Sequence, residues 1–472
     1  LLNRGGNYGN GGNAGEANGN LNNPRSNAND NLGFFCAFLI TSEHAGARYR
    51  RAARREDKGR FPLPKGKINI AANTFSSKSR SVTRGAIFSM KTFNITYKEI
   101  IDYENLCGAN IDAKECKTER NEVMRFNMEL DENLIDLYED LQAKRYKQRG
   151  YRLIYITVPK KRLIMALQYR DRVLQWAVYR KLNPLYEKIY IEDSYGCRKE
   201  KGREKAAARL QYWLRQTDRK EKQYCYLKLD ISKFFYRVDH EVLLQILAKK
   251  IKDKDLLALL EKIINSNKRA FGLPIGADPS EIDPKDMLFD KGMPIGNLTS
   301  QMFANIYLNE LDQYIKHELH LHYVVRYMDD IIILHDDYKE LVEFKEKIEQ
   351  FLLEVLKLNL NNKTAINPTT HNIEFVGFII NKDEIKLRKD TVRRMRVRIK
   401  YVIKAYEAGE MTLKEVNATM QSYFGLISHC TNKGLKEKVI SGFVLHCTDA
   451  SRERALQEEQ RKEQDTWKLQ TR

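Results

Sequence analysis

The stretch HYVVRYMDDIIILHDD, His322 to Asp337, sets two β-branched, apolar runs on either side of a pair of acids, Asp329 and Asp330. Val and Ile pack well on a pleated surface and Asp is depleted there, so the pattern predicts two short buried strands joined by a tight turn. Neighbouring side chains of a regular strand point to opposite faces. The two carboxylates therefore serve one site only if the backbone turns between them, as at a hairpin tip. Further back, YCYLKLDISKFF (Tyr224 to Phe235) reads as another buried strand, ending at Asp230. A sheet that lays these strands side by side gathers three carboxylates, whose mutual repulsion demands compensation.

Divalent metal is one compensation. Mg²⁺ takes a few carboxylate oxygens plus water and substrate phosphates, and two ions about 3.5–4 Å apart activate an attacking hydroxyl and stabilise a leaving oxygen in phosphoryl transfer. The strands therefore suggest a polymerase-type palm. The bland alternative is a solvated Asp-Asp turn, because acids are common turn residues. Two other stretches bear on the choice. LDISKFFYRVD puts an aromatic, Phe235, five residues after Asp230, and KGMPIGNLTSQMFANIYLNELD opens a long helix with a Gly-containing turn. Such a turn lets backbone approach a nucleotide and points free N–H groups at phosphate.

Composition fits a large, mostly globular chain with a polyanionic partner. The 472 residues are 42% hydrophobic, enough for several ordinary cores. A formal charge of +19, from 82 Lys and Arg against 63 Asp and Glu, implies attraction to nucleic acid or to an anionic membrane surface. No apolar run reaches the roughly 18 residues of a membrane span, and GFFCAFLI (Gly33 to Ile40) lacks the flanks of a signal peptide. A soluble, cytoplasmic protein is the expectation. The seven cysteines show neither a C-x-x-C pair nor a His at ligand spacing, and read as reduced structural thiols.

Outward from the acids, the chain divides by pattern. An Asn/Gly-rich start gives way to a basic, Ser-rich stretch from Arg48 to about Arg84, neither with a convincing apolar period. Residues from Met90 to about Gln148 read as helical, YRLIYITVPKKRLI as a hairpin carrying Lys160, Lys161 and Arg162, and DRVLQWAVYRKLNPLYEKIY as a helix. A basic loop then leads into another helix at about KAAARL, and EVLLQILAKKI is amphipathic. Beyond the hairpin, YKELVEFKEKIEQFLLEVL is an amphipathic helix, IEFVGFII (Ile373 to Ile380) a strand, and the Arg/Lys-dense Lys382 to Lys404 a helix. From about Asp449 the chain is charged and reads as a frayed helix or tail.

From about Asn105 to Leu435 the sequence resembles the reverse transcriptases, in the ordered motifs KKRLIMALQYRDRVLQ, YLKLDISKFF, GMPIGNLTSQ, YMDD, LNLNNKTAINP, EFVGF and SYFGLISH. The resemblance implies an α+β right-hand polymerase: N-terminal helices and fingers over 90–223, a palm with a ferredoxin-like antiparallel sheet over 224–380, a helical thumb over 381–448 and a tail over 449–472. It implies an RNA-directed DNA polymerase, a nucleotidyltransferase working with two Mg²⁺ ions, with Mn²⁺ as an alternative. Position by position, Asp230, Asp329 and Asp330 match the metal-binding acids, with the Ile231 carbonyl as an extra ligand. Phe235 matches the aromatic that blocks a ribose 2′-hydroxyl; ordinary core packing is its other reading. Arg162, with Lys160 or Lys161, matches the fingers residues that grip the triphosphate; a solvated hairpin is the other reading of the lysines. Lys363 matches the lysine proposed to protonate pyrophosphate, or is a surface lysine.

Two departures from the common bacterial pattern stand out. Where most relatives carry Gln-Gly and Ser-Pro, this chain has Ile295-Gly296 and Ser300-Gln301. That form resembles the reverse transcriptases of diversity-generating retroelements. An amide beside the incoming nucleotide constrains it by hydrogen bonding and Ile cannot, so discrimination should loosen. The resemblance thus implies error-prone copying, chiefly opposite template adenines, for mutagenic retrohoming. The leader resembles the variable segment of the target proteins of such elements, and Leu1 to about Ser89 is expected to be translated template and spacer before a start at Met90; the alternative is a disordered basic arm that binds RNA.

The expected partners are template RNA and its RNA–DNA hybrid, dNTPs and a small basic accessory protein, without a membrane, in the cytoplasm of a bacterial or phage-infected cell. Arg393, Arg394, Arg396, Arg398 and Lys400 are expected to track the hybrid backbone, reading phosphates and A-form shape. The competing functions are a group II intron, retron or phage-defence reverse transcriptase, and a non-catalytic RNA-binding relative of a polymerase.

Overall fold

The computed structural model describes residues 92–156, 162–265, 271–274, 277, 279, 282–431, 433–441 and 443–470. The expectations for the leader, Lys160 and Lys161 lie outside these residues, as does the side chain of Arg162. In chain order the elements begin with helices α1 (Tyr97–Ile101), α2 (Tyr103–Lys114), α3 (Asn121–Met128) and α4 (Leu130–Gln142). A hairpin of β1 (Arg152–Ile156) and β2 (Arg162–Ala166) precedes α5 (Tyr169–Glu187) and α6 (Arg203–Asp218). Then come β3 (Cys225–Asp230), α7 (Phe234–Arg237), α8 (His240–Lys250), α9 (Lys254–Ile264) and α10 (Leu298–Gln313). Strands β4 (Tyr323–Tyr327) and β5 (Asp330–His335) lead to α11 (Tyr338–Glu354), β6 (Ala365–Pro368), β7 (Ile373–Phe375), β8 (Phe378–Ile380) and β9 (Ile385–Leu387). The described chain closes with α12 (Lys389–Glu407), α13 (Leu413–Ser428), α14 (Lys433–Ser441) and α15 (Asp449–Gln470).

A four-stranded antiparallel sheet in the order β4-β5-β3-β6 organises the rest. Strands β3, β4 and β5 carry apolar side chains on both faces, and both faces are covered. Leu227, Leu229, Ile231, Val324, Ile331 and Ile333 enter one core together with α5, α8, α10 and α11, whereas Tyr226, Val325, Ile332 and Leu334 enter a second with β7–β9, α12 and α13. This double burial is why the IIIL run does not alternate with polar residues. At the sheet edges, β6 ends in Pro368, which cannot donate to a further strand, and β4 is partly covered by a bridge from Ser194 to Arg326. Among the described residues no helix is long and apolar enough to cross a membrane.

Two elements differ from the sequence reading. Ile373 to Ile380 is not one strand: β7 and β8 form a hairpin, with Val376 (φ +47°) and Gly377 (φ +89°) as the two turn residues. A β-branched residue in the left-handed region is strained, and Val376, 3% exposed, is held there by burial in the second core. The basic helix starts at Lys389 rather than Lys382, because Ile385–Leu387 pairs with β8 and alternates with its side chains inward. Helix α9, not singled out from the sequence, buries Leu256, Leu259, Leu260, Ile263 and Ile264 on one face.

Candidate active site

The acids are placed by strand register. Asp230, the last residue of β3, is the direct antiparallel partner of Asp330, the first of β5, and Asp330 is also the partner of Tyr327 at the end of β4. Directly opposed residues put their side chains on the same face with Cβ atoms about 4.5–5.5 Å apart. Asp230, Asp330 and Tyr327 thus form one row across the sheet end. All three are half-buried. Between Tyr327 and Asp330 lie only Met328 and Asp329, and Met328 has φ +54°, the pattern of a two-residue hairpin of the II′ kind. Burial first, with smaller contributions from Cys197, Glu204 and Asp330 against the pull of Arg203, pushes the Tyr327 phenol up and keeps it protonated.

Asp230 is held from its other side by the segment before β6. The Asn361 amide donates to the Asp230 carbonyl at 2.7 Å, the Ser232 amide to Asn359 at 2.9 Å, and Ile231, 1% exposed, bridges to Leu360. The Asp230 amide lies 3.5 Å from Thr364 Oγ1. Exposed Lys363 therefore sits in the segment that grips Asp230.

A second set of hydrogen bonds brings the nucleotide-binding candidates together. After Lys233, itself at φ +50°, helix α7 presents Phe235, half-buried and edge-on to Phe234 at 5.5 Å. Its carbonyl accepts from the Met293 amide at 2.7 Å, and the Ile295 carbonyl accepts from the Met165 amide of β2 at 3.0 Å. Ile295 is buried, while exposed Gly296 takes φ +109° and approaches Ile164 so closely that a Cβ would lie 2.9 Å from its Cγ2. Gln301 is half-buried in the first turn of α10. Ile295 and Gly296 are thus juxtaposed with β2, the strand that starts at Arg162, and Phe235 with the segment that leads into them.

The basic residues of α12 stand apart from this set. Met395, Ile399, Val402 and Ala405 bury one face of the helix, leaving Arg393, Arg396 and Lys400 exposed and Arg394 and Arg398 half-buried. Arg393 pairs with Asp390 at 3.5 Å and Arg398 lies over the Tyr401 ring at 4.9 Å.

Hard carboxylate oxygens on adjoining strand ends suit Mg²⁺, which binds through one or two carboxylates and completes its shell with water and substrate. Among the described residues, however, no group of three or more His, Cys, Asp or Glu side chains gathers closely enough to hold a metal ion by itself. The register unites two of the expected acids; Asp329 occupies the adjoining turn.

Sequence reasoning missed the support behind the hairpin. Arg326, in β4, has its side chain 0% exposed and donates to the Asp312 carboxylate of α10 at 2.6–2.9 Å. The available signal was an arginine in step with core residues Val324 and Met328 at the period of a strand.

Parts of the chain are similar to known proteins. Residues 149–380 match the family described as reverse transcriptase (RNA-dependent DNA polymerase). The chain is 29% identical over 189 residues to Protein YkfC of Escherichia coli, covering 39% of this chain and 45% of that protein. It is 25% identical over 259 residues to the putative COX1/OXI3 intron 2 protein of Saccharomyces cerevisiae, covering 44% of this chain and 29% of that one. The chain thus spans less than half the length of these curated relatives. Among solved structures, apo telomerase from Candida tropicalis, truncated from its C-terminal domain, aligns with TM-score 0.35 and 14% identity, over 54% of this chain and 60% of that one. The segment that carries the paired acids, residues 149–380, is thus the one that matches the reverse-transcriptase family.

Proposed function

We propose that this protein is an RNA-directed DNA polymerase that extends a 3′-hydroxyl with deoxynucleotides along a retroelement RNA. The observation that carries the reading is the register pairing of Asp230 with Asp330 at one end of the sheet, with Phe235 on the helix that follows β3 and bonded through its carbonyl to the segment leading into Ile295 and Gly296. In this role the sheet is a palm, the β1–β2 hairpin belongs to the fingers and α12–α13 to the thumb. Asp230, Asp329 and Asp330 would hold Mg²⁺, with the Ile231 carbonyl as a further oxygen ligand; when bound, the ions acidify the attacking hydroxyl and neutralise the developing phosphate charge.

The chain's own residues do the rest. Phe235 fills the space a ribose 2′-hydroxyl would need. Arg162 and Lys160 bind the triphosphate, and Gln301 and the start of α10 orient it. Lys363 Nζ donates a proton to departing pyrophosphate. The exposed cations of α12 follow the backbone of the hybrid, a contact that weakens with salt. Ile295 contributes shape without a hydrogen bond, which supports loosened selection opposite template adenine and the diversity-generating subtype, with a small basic protein as partner.

The test is primer extension on a defined RNA template with sequenced products. The expected outcome is DNA complementary to the template, with errors concentrated at adenines, and no product from Asp329→Ala. Product whose sequence ignores the added RNA would indicate untemplated synthesis, and unchanged activity in Asp329→Ala would remove these acids from the chemistry. Faithful copying at adenine would remove the subtype alone.

A further inference from the structure

Behind the hairpin tip lies a buried polar assembly. Arg326 and Asp312 both have side chains 0% exposed, with Arg326 Nε and Nη2 forked onto the carboxylate. Arg326 Nη1 reaches further, to Asn305 Oδ1 at 3.2 Å and to the carbonyl of Met328, the first residue of the tip, also at 3.2 Å. Asn305 in turn donates from Nδ2 to the Gly196 carbonyl at 2.7 Å. The backbone of Arg326 is fixed as well, its N–H donating to Asp193 at 2.9 Å and its carbonyl accepting from Tyr195 at 2.8 Å. Gly196 packs so closely on the tip that a Cβ there would lie 2.7 Å from the Met328 nitrogen.

Stability alone is a weak reason for such a pair. Desolvating two charges is costly, and apolar residues of similar volume often serve a core as well or better. What apolar residues cannot do is hold the Met328 carbonyl, and that carbonyl immediately precedes Asp329. We infer that Arg326 is a positioning residue: together with Asp312, Asn305 and Gly196 it clamps the back of the turn, so that Asp329 and Asp330 keep a fixed placement relative to Asp230. This inference rests on the polymerase reading for its functional consequence, but the clamp itself is a property of the fold.

The discriminating variants are Arg326→Lys, which keeps a buried cation for Asp312 but loses the fork and the reach to Met328, and Asp312→Asn, which keeps volume but replaces one of the fork's two acceptor oxygens with a donor amide. Each full-length variant is compared with the parent in three measurements: circular dichroism through thermal unfolding, amide hydrogen exchange at Met328 to Asp330, and kcat and KM in primer extension. The expected result for a folded variant is faster exchange confined to the tip, with kcat lower by on the order of 10²-fold, the scale of about 1 Å misplacement, and KM for primer-template unchanged. Parental exchange and kcat in a folded Arg326→Lys or Asp312→Asn protein overturns the inference. So does a kcat loss that follows only the fraction folded. If the parent copies no RNA, the polymerase reading fails, whereas the exchange measurement still decides whether the clamp exists.

Discussion

Paired acids at a strand end should make this protein less stable than it need be when metal is withheld. Asp230 and Asp330 face each other across one register position. At roughly 5 Å, and with an effective dielectric between about 20 and 80 for half-exposed groups, their repulsion amounts to roughly 1–3 kcal/mol before screening by salt. Asp230→Asn and Asp330→Asn each remove that term while preserving volume. In EDTA at low ionic strength, either variant should therefore unfold at a higher urea midpoint or a temperature a few degrees higher than the parent. Millimolar Mg²⁺ should stabilise the parent and leave the variants nearly unmoved, so that the order closes or reverses, while both variants lose templated synthesis. The assay is urea and thermal unfolding with and without Mg²⁺, repeated at high salt, where the gap should shrink. Asn variants no more stable than the parent in EDTA, at both positions, would refute the claim that the two charges repel across the sheet.

Gly196→Ala should destabilise by about 1–3 kcal/mol and disturb the hairpin tip, because its Cβ would meet the Met328 nitrogen at 2.7 Å as well as the Met328 side chain, and the backbone atom cannot swing aside; unfolding midpoints and primer extension measure the two effects. Burial raises the carboxyl of Asp239, but the Val242 amide, Lys291 and Lys357 outweigh it and hold the group below the ordinary carboxylate range. Its stabilisation is thus present above the unfolded value near about pH 4 and lost as pH falls through the lowered folded value, so Asp239→Asn should lower the urea midpoint at pH 7 and flatten the acid limb of the pH profile. Arg396→Ala and Lys400→Ala, both on the exposed face of α12, should each weaken hybrid binding across sequences and reduce the slope of log affinity against log salt by roughly 1, measured by titration at several salt concentrations.

The strands that carry the acids were legible because their signal is local: Val, Ile and Leu runs stopping at acids, with a two-residue gap between β4 and β5. The helices α5, α8 and α11 were legible from their apolar spacing for the same reason. Where local pattern and tertiary pairing disagree, the reading failed. Val376 is a poor turn former, so the β7–β8 turn hid inside an unbroken apolar run, and its strain is tolerated only because the side chain is buried. Ile385 and Leu387 fit a helical count as well as a strand, and only β8 decides between them. The Arg326–Asp312 pair joins residues 14 apart on different elements, and nothing in either neighbourhood announces the other. The three carboxylates could be named from the sequence, but that Asp230 and Asp330 would share a strand register depended on pairing that the sequence does not spell out.

The face on which a strand residue projects is a matter of odd and even. Since Asp230 reaches Asp330 through six consecutive pairs, from Cys225 with His335 onward, inserting or deleting one residue within β3 would carry Asp230 to the underside of the sheet and send Leu229 or Ile231 into its place. Inheritance at this site is therefore discontinuous: inside these strands, and in the two-residue turn that joins β4 to β5, a change of length by one is not a small step, and the spacing should stay frozen even where nearly every side chain has drifted.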